Sequence, residues 1–143
     1  AAPGRRWFGG EPRVRADLRG DSVDDIIKDI DAVARKYPHV DDYALWPGPN
    51  SNTFTAYVAR AVPELRVDLP PTAIGKDYLP GGALVAGTPS GTGYQVSLFG
   101  LVGVLAAVEE GLEINLLGLS FGIDPLDLAL KLPMAGRISL REN

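Results

Sequence analysis

Two apolar runs dominate the second half of the chain: YQVSLFGLVGVLAAV at residues 94–108 and LEINLLGLSFGI at residues 112–123. Both are rich in branched and aromatic residues, which favour strands. The polar residues 109–111 separate them and predict a hairpin turn. A third strand is predicted over 128–132, where leucines alternate with other residues. Helix remains the alternative for 98–108, because the period of a short apolar run is ambiguous.

The clearest helix lies upstream, over residues 22–37. Its apolar residues recur at steps of three and four, which places them on one stripe of a helix. Ser22 is a preferred residue for capping the first turn, and Pro38 ends the pattern. The stripe consists of Val23, Ile26, Ile27, Ile30, Val33, Ala34 and Tyr37.

A second helix is predicted over residues 52–62, ending before Pro63. Asn50 and Ser51 precede it and are preferred cap residues. The predicted apolar stripe consists of Phe54, Tyr57, Val58 and Ala61.

Together these elements predict an α+β fold in which two helices pack on one side of a mainly antiparallel sheet. The length of 143 residues fits one domain, spanning 1–143. The opening residues 1–4 are typical of a trimmed chain, so we expect the sequence to be the C-terminal part of a longer precursor.

Composition excludes several classes of function. The chain has no cysteine and a single histidine, which excludes a disulfide scaffold, a cysteine nucleophile and a Cys/His zinc site. The net charge of −4 argues against a nucleic-acid partner, which requires a basic face. No metal or other cofactor is expected.

Charge is also distributed unevenly, since residues 78–108 contain no Asp, Glu, Lys or Arg. Two interpretations of the apolar region 78–123 stay open. It forms a core between layers that cover both faces of the sheet, or part of it is a surface that contacts a protein partner or a membrane complex.

The segment WPGPNSNTF at 46–54 carries the most pointed candidate chemistry. It places Ser51 at the start of a helix, where free N–H groups favour negative charge and can activate a nucleophile. Trp46, Asn50 and Asn52 are the candidate binding residues around it. The alternative is that Asn50 and Ser51 simply cap the helix.

Lys76 and Asp77 are two further candidate binding residues, since they interrupt an otherwise uncharged stretch. Lys76 has the chemistry of a base or of an anion clamp, and the alternative is an ion pair on a surface loop. The glycine-rich segment 87–93 predicts a turn more strongly than a phosphate cradle, because it lacks the ending of a P-loop. Glu113 and Asn115 interrupt an apolar strand and either line a pocket or face solvent.

Four of these segments together resemble an uncharacterised bacterial family, domain of unknown function 3750. They are residues 46–54, 69–77, 89–93 and 118–124, and 131–137 also fits. Longer members of that family resemble exported or membrane-anchored proteins. The resemblance therefore implies a location in the periplasm or at a membrane.

The segment 46–54 is also similar to part of the circularly permuted papain-like (NlpC-type) domains. In those proteins a cysteine nucleophile occupies the position of Ser51, and its partner histidine lies on an upstream strand that this sequence lacks. The resemblance implies one of two functions. The first is a non-catalytic accessory or interaction protein of the bacterial cell envelope, such as a subunit of a membrane-associated complex. The second is a serine-dependent hydrolase or acyltransferase with Ser51 as nucleophile. A pocket over residues 50–52 that binds a small molecule is a further interpretation.

Overall fold

The computed structural model describes Arg6 and residues 11–140. The helices are α1 (Val23–Ala34) and α2 (Ser51–Ala61), and short 3-10 turns cover Pro63–Leu65 and Pro80–Gly82. The strands are β1 (Val85–Gly87), β2 (Gly93–Leu98), β3 (Val102–Ala107), β4 (Gly111–Leu116), β5 (Leu119–Asp124), β6 (Ala129–Leu132) and β7 (Gly136–Ser139). The α+β prediction is confirmed.

The seven strands form one antiparallel sheet in the order of the sequence. Each predicted long run is in fact two strands, because left-handed residues fold it back on itself. Phe99 and Gly100 have positive φ between β2 and β3, and Leu117 and Gly118 do so between β4 and β5. Two consecutive positive φ angles match the right-handed twist of paired strands. The predicted turn over 109–111 is confirmed as the link between β3 and β4.

Helix α1 is shorter than predicted and its N-terminal cap is absent. Ser22 has helical backbone angles and its side chain makes no capping hydrogen bond, because a cap residue needs an extended backbone. Turns continue the chain as far as Tyr37 without α-helix. The predicted stripe is only half-buried, and Ile27 is 56% exposed.

Helix α2 starts one residue earlier than predicted and buries a different face. Thr53, Ala56, Val58 and Ala59 are buried, whereas Phe54 and Ala61 are exposed. Of the predicted stripe only Val58 is buried. The small side chains allow the segment 62–79 to approach closely, and the main apolar cluster lies there: Ala56, Ala59, Val67, Leu69 and Ala73.

The aromatic residues of α2 pack against the end of α1 instead. The ring of Tyr37 meets those of Phe54 and Tyr57 edge-on, with centroids 5.1 and 5.2 Å apart. The Tyr57 hydroxyl donates a hydrogen bond to the carbonyl of Lys36. Helix α1 is therefore held by α2.

The two faces of the sheet differ sharply in polarity. The face that meets α2 and residues 62–79 carries Gln95, Ser97, Glu113, Asn115, Ser120, Asp124 and Lys131, all buried. The opposite face is apolar, and no described residue covers it. The interpretation that layers on both faces of the sheet bury the apolar runs is therefore wrong for most of those residues.

Candidate functional site

Asn50 caps α2 with its side chain. Its Oδ1 accepts hydrogen bonds from the backbone N–H of Asn52 and Thr53 at 2.9 and 3.2 Å, while its own N–H donates to Thr53 Oγ1. This reciprocal pair satisfies the free donors of the first turn. The prediction that Asn50 caps the helix is confirmed.

The same cap ties α2 to the following loop. Asn50 Nδ2 donates to the carbonyls of Leu45 and Ile74, and Asn52 Nδ2 also donates to Ile74 at 2.9 Å. Gly75 makes this approach possible, since a Cβ there would lie 2.3 Å from Asn50 Nδ2. Asn50 and Asn52 therefore join three segments of the chain.

Ser51 is the first residue of α2 and is exposed. Within the described part of the chain its hydroxyl makes no hydrogen bond. The sequence has a single histidine, His39, whose ring contacts Asp42, Tyr37 and Tyr78. The structure therefore pairs Ser51 with no imidazole.

An open cavity of about 580 Å³ lies beside Ser51. Asn52 also lines it, together with Arg13, Arg15 and Arg137. The guanidinium of Arg137 is engaged by Asp124 and Asp127. Glu11 adds a carboxylate to this lining, so the cavity beside Ser51 carries charges of both signs.

Trp46 lies outside that cavity. Its indole N–H donates to the carbonyl of Leu117 at 2.8 Å, in the turn between β4 and β5. Gly118 lets the indole approach, because a Cβ there would lie 2.7 Å from Trp46 Nε1. The Trp46–Pro47 and Gly48–Pro49 peptide bonds are both cis. Trp46 thereby fixes the loop before α2 to the sheet.

Lys76 and Asp77 are buried beneath the sheet, so the alternative that they form an ion pair on a surface loop is wrong. Lys76 is 2% exposed, and its Nζ lies 2.5 Å from Glu113 Oε2 and 3.5 Å from Asp77 Oδ1. Asp77 accepts hydrogen bonds from Gln95 and Ser120, both at 2.8 Å. Neither residue lines the cavity beside Ser51.

Glu113 connects Lys76 to a second buried lysine. Its Oε1 lies 2.8 Å from Lys131 Nζ, which also contacts the Asp68 carboxylate and the carbonyl of Glu110. A charge buried in this way requires partners on every side. These side chains contact one another in the order Asp68, Lys131, Glu113, Lys76 and Asp77, and the five together are here called the buried ion network.

Electrostatics inside the network follow from burial and pairing. Burial alone favours the neutral amine of Lys76, but the charges of Asp77 and Glu113 outweigh it and raise the pKa of Lys76 above its usual value. Burial raises the pKa of Asp68, although Lys131 acts in the opposite direction. The network thus stabilises the charged form of Lys76 inside the protein.

Arg60 of α2 reaches the same layer. It donates to Gln95 Oε1 at 2.6 Å and to the carbonyls of Lys76 and Gly87. Burial lowers the pKa of Arg60 to about 10, with Asp77 opposing this change. Arg60 thus links the helix to β2 and to the buried ion network.

The side of the sheet that faces away from α2 is exposed, and it is here called the apolar face. Strict alternation puts one residue in two on this side of every strand. Thirteen large apolar side chains form it: Val85, Tyr94, Val96, Leu98, Val102, Val104, Leu112, Ile114, Leu116, Phe121, Ile123, Leu130 and Ile138. No Asp, Glu, Lys or Arg shares this side of the seven strands.

Strand register aligns these side chains into rows. Val85, Val96, Val104, Ile114 and Phe121 pair successively across five strands. A shallow groove of about 300 Å³ crosses β4, β5 and β6, lined chiefly by Leu112, Ile114, Phe121, Ile123 and Leu132. The rows form a continuous surface with a depression on one half.

Sequence reasoning missed the buried ion network because its members are far apart in the chain. The signal available was the alternation of Glu113 and Asn115 with apolar residues. Both are buried, so neither faces solvent, and neither lines the groove or the cavity beside Ser51. The alternation correctly indicated a strand with one polar and one apolar side, but the polar side is the buried one.

Within the described residues, no helix is long and apolar enough to cross a bilayer. No cluster of three or more His, Asp or Glu side chains in that part of the chain is arranged to hold a metal.

The fold and surface define an α+β protein with a buried polar layer and an exposed apolar sheet. The model of the family DUF3750, described as a protein of unknown function, matches residues 1–78. The chain therefore belongs to that family. The match includes α1, α2 and the loop 62–78, while the sheet lies beyond it. No curated protein and no solved structure matches the chain.

Proposed function

We propose that the protein is a non-catalytic interaction protein, an accessory subunit of an assembly at the bacterial cell envelope. The apolar face is its binding surface. The observation that supports this is the continuous array of thirteen exposed apolar side chains without a charge among them. Soluble monomers rarely expose an apolar patch of more than a few hundred Å².

The size of the apolar face gives the proposal its energetic basis. Thirteen side chains that are roughly half exposed amount to on the order of 1,000 Å² of apolar surface. At about 25 cal/mol per Å², its removal from water contributes on the order of 20 kcal/mol before the cost of association. Covering this face with a partner therefore removes a large apolar surface from water, and this burial offsets the cost of association.

The surroundings of Ser51 support a non-catalytic role. A serine needs a base to become a nucleophile, and the ring of His39 is engaged elsewhere. Lys76 cannot replace that base, because its ammonium is held by Asp77 and Glu113 inside the protein. Ser51 therefore has neither His39 nor Lys76 as a base.

Site-specific photo-crosslinking in the source organism tests the proposal. A photoreactive residue replaces Val104 on the apolar face or, as the control, Val40, which is 74% exposed outside the sheet. We expect adducts from position 104 only, in the envelope fraction. Equal labelling from both positions, or recovery of the protein away from the envelope without adducts, would contradict the proposal.

A serine-dependent hydrolase or acyltransferase of permuted papain-like type is the second candidate. It is favoured by the exposed Ser51 hydroxyl at the α2 N-terminus and the adjoining cavity of about 580 Å³. A fluorophosphonate probe followed by mass measurement of the intact protein tests it. An adduct that Ser51→Ala abolishes would favour the enzyme and contradict the non-catalytic proposal.

A further inference from the structure

We propose that the apolar face binds a second copy of this chain, so that two sheets pack face to face as a dimer. This inference rests on the proposed function only in taking the apolar face as the binding surface. It names the partner that the chemistry of the face fits best.

Self-complementarity is the first argument. In a two-fold dimer each patch meets its own equivalent, so a charged residue near the axis would face a like charge. The apolar face has no charged residue on any of its seven strands. Branched aliphatic side chains from two sheets interdigitate in the interior of a β-sandwich. The rows centred on Ile114 have that composition.

Size is the second argument. A standard stable interface buries roughly 800 Å² on each partner. The exposed surface of the thirteen side chains is on the order of 1,000 Å², which is enough for such an interface in a chain of 15.2 kDa. A small peptide would leave much of this surface in water.

Surface relief indicates how the copies align. With a two-fold axis along β4, the middle strand, β2 of one copy lies over β6 of the other. Tyr94 on β2 is 76% exposed, the most exposed side chain of the face. This alignment places the Tyr94 ring toward the partner's groove across β4, β5 and β6, and brings the two Ile114 side chains together.

The charges around the sheet disfavour a lipid bilayer as the occupant. Surfaces that bind anionic membranes carry unpaired Lys and Arg at their edge. Residues 78–140 contain two basic side chains, Lys131 and Arg137, and carboxylates neutralise both. Five acidic residues lie in the same stretch. A neutral protein surface is a better match than anionic lipid.

Sedimentation velocity of the purified chain tests the dimer. We expect a species of twice 15.2 kDa for the wild type and a monomer for Ile114→Lys, which places two ammonium groups at the axis. Val40→Lys is the matched control, also at an exposed branched residue, and stays dimeric. Circular dichroism checks that each variant is folded. A monomeric wild type, or a folded dimeric Ile114→Lys, would overturn the proposal.

Cross-linking adds a readout that does not depend on folding stability. Because the chain has no cysteine, Ile114→Cys and Val40→Cys each carry one thiol. A short bismaleimide should link two Ile114→Cys chains and leave Val40→Cys unlinked. Equal linking of both would contradict the dimer. If the wild type is monomeric but photo-crosslinks from Val104 reach a different envelope protein, this inference fails while the proposed function stands.

Discussion

Glu113 shows how strongly one side chain constrains this protein. It is 2% exposed and lies between the ammonium groups of Lys76 and Lys131. Its removal would leave two buried cations without their shared counter-charge. The carboxylate therefore matters more to the fold than any exposed ion pair on α1.

We expect Glu113→Ala to lower the free energy of unfolding by about 3–5 kcal/mol, the usual effect of breaking a buried pair. Urea unfolding followed by circular dichroism measures this change. The control is Lys28→Ala, which removes an exposed pair with Asp25 and should leave the midpoint unchanged. Similar midpoints for the two variants would show that the buried ion network does not support the fold.

The raised pKa of Lys76 gives a pH dependence of defined sign. The folded protein holds this proton more tightly than the unfolded chain does. The stabilising contribution is therefore complete below pH 10.5 and is lost as pH rises through the higher pKa of the folded state. The difference in unfolding free energy between wild type and Lys76→Met should stay constant from about pH 7 to about pH 9 and shrink in more alkaline buffer. A decrease already in the neutral range would indicate a lowered pKa.

Asn50 and Ser51 are neighbours, but we expect their substitution by alanine to change the free energy of unfolding by different amounts. Asn50→Ala removes the cap of α2 and the donors to Leu45 and Ile74, so we expect a loss of about 2–3 kcal/mol. Ser51→Ala changes an exposed hydroxyl without a partner among the described residues, and the change should stay within about 0.5 kcal/mol. Urea unfolding of both variants checks this. If Ser51→Ala lowered the free energy of unfolding more than Asn50→Ala, Ser51 and not Asn50 would be the residue that caps α2.

At the scale of elements, β3 carries two adjacent side chains with opposite surroundings. Leu105 is buried on the polar side of the sheet, whereas Val104 belongs to the apolar face. The strand thus has an apolar residue on each side. Only one of them contributes to the interior of the monomer.

We expect Leu105→Ala to destabilise the monomer by about 3 kcal/mol, because a buried leucine leaves a cavity. Val104→Ala should change it by less than about 0.5 kcal/mol. Denaturant unfolding in the Ile114→Lys background, where the proposed dimer cannot form, separates this effect from association. Equal losses would mean that the apolar face is covered within a single chain.

The elements were largely predictable, and their packing was not. The step of three and four in α1, the Asn50 cap and the turn over 109–111 are local signals, and they predicted local structure. The turn residues Phe99 and Leu117 escaped notice because left-handed backbone is unusual for large side chains. Their positions depend on strand pairing, which no local pattern contains.

The buried side of the sheet could not be predicted from local sequence patterns. Leu130 and Lys131 alternate on β6, and the lysine is the buried one. Lone lysines are almost never fully buried. The required partners, Asp68 and Glu113, lie 63 and 18 residues away in the chain. The location of Lys76 was missed for the same reason.

On the scale of the whole molecule, the interior is unusually polar. Lys131, Gln95, Glu110 and Glu113 are the largest fully buried side chains, and the main apolar cluster is small. Most of the large apolar surface lies outside the monomer's own core. Association would supply the hydrophobic burial that the single chain lacks.

The melting temperature of the wild type should therefore rise with protein concentration, since association stabilises the folded state by mass action. That of Ile114→Lys should not. Differential scanning calorimetry over a hundredfold range of about 1 to 100 µM measures both. A melting temperature of the wild type that does not depend on concentration would contradict association through the apolar face.

The consecutive order of the seven strands has a kinetic consequence. Every strand pairs with its neighbour in sequence, so successive hairpins can zip together without closing a long loop. The ion pair of Asp68 with Lys131 joins residues 63 apart and requires the loop and sheet to meet. Closing that long loop costs more chain entropy than forming any one hairpin, so substitutions at the Asp68–Lys131 contact should change the unfolding rate more than the folding rate.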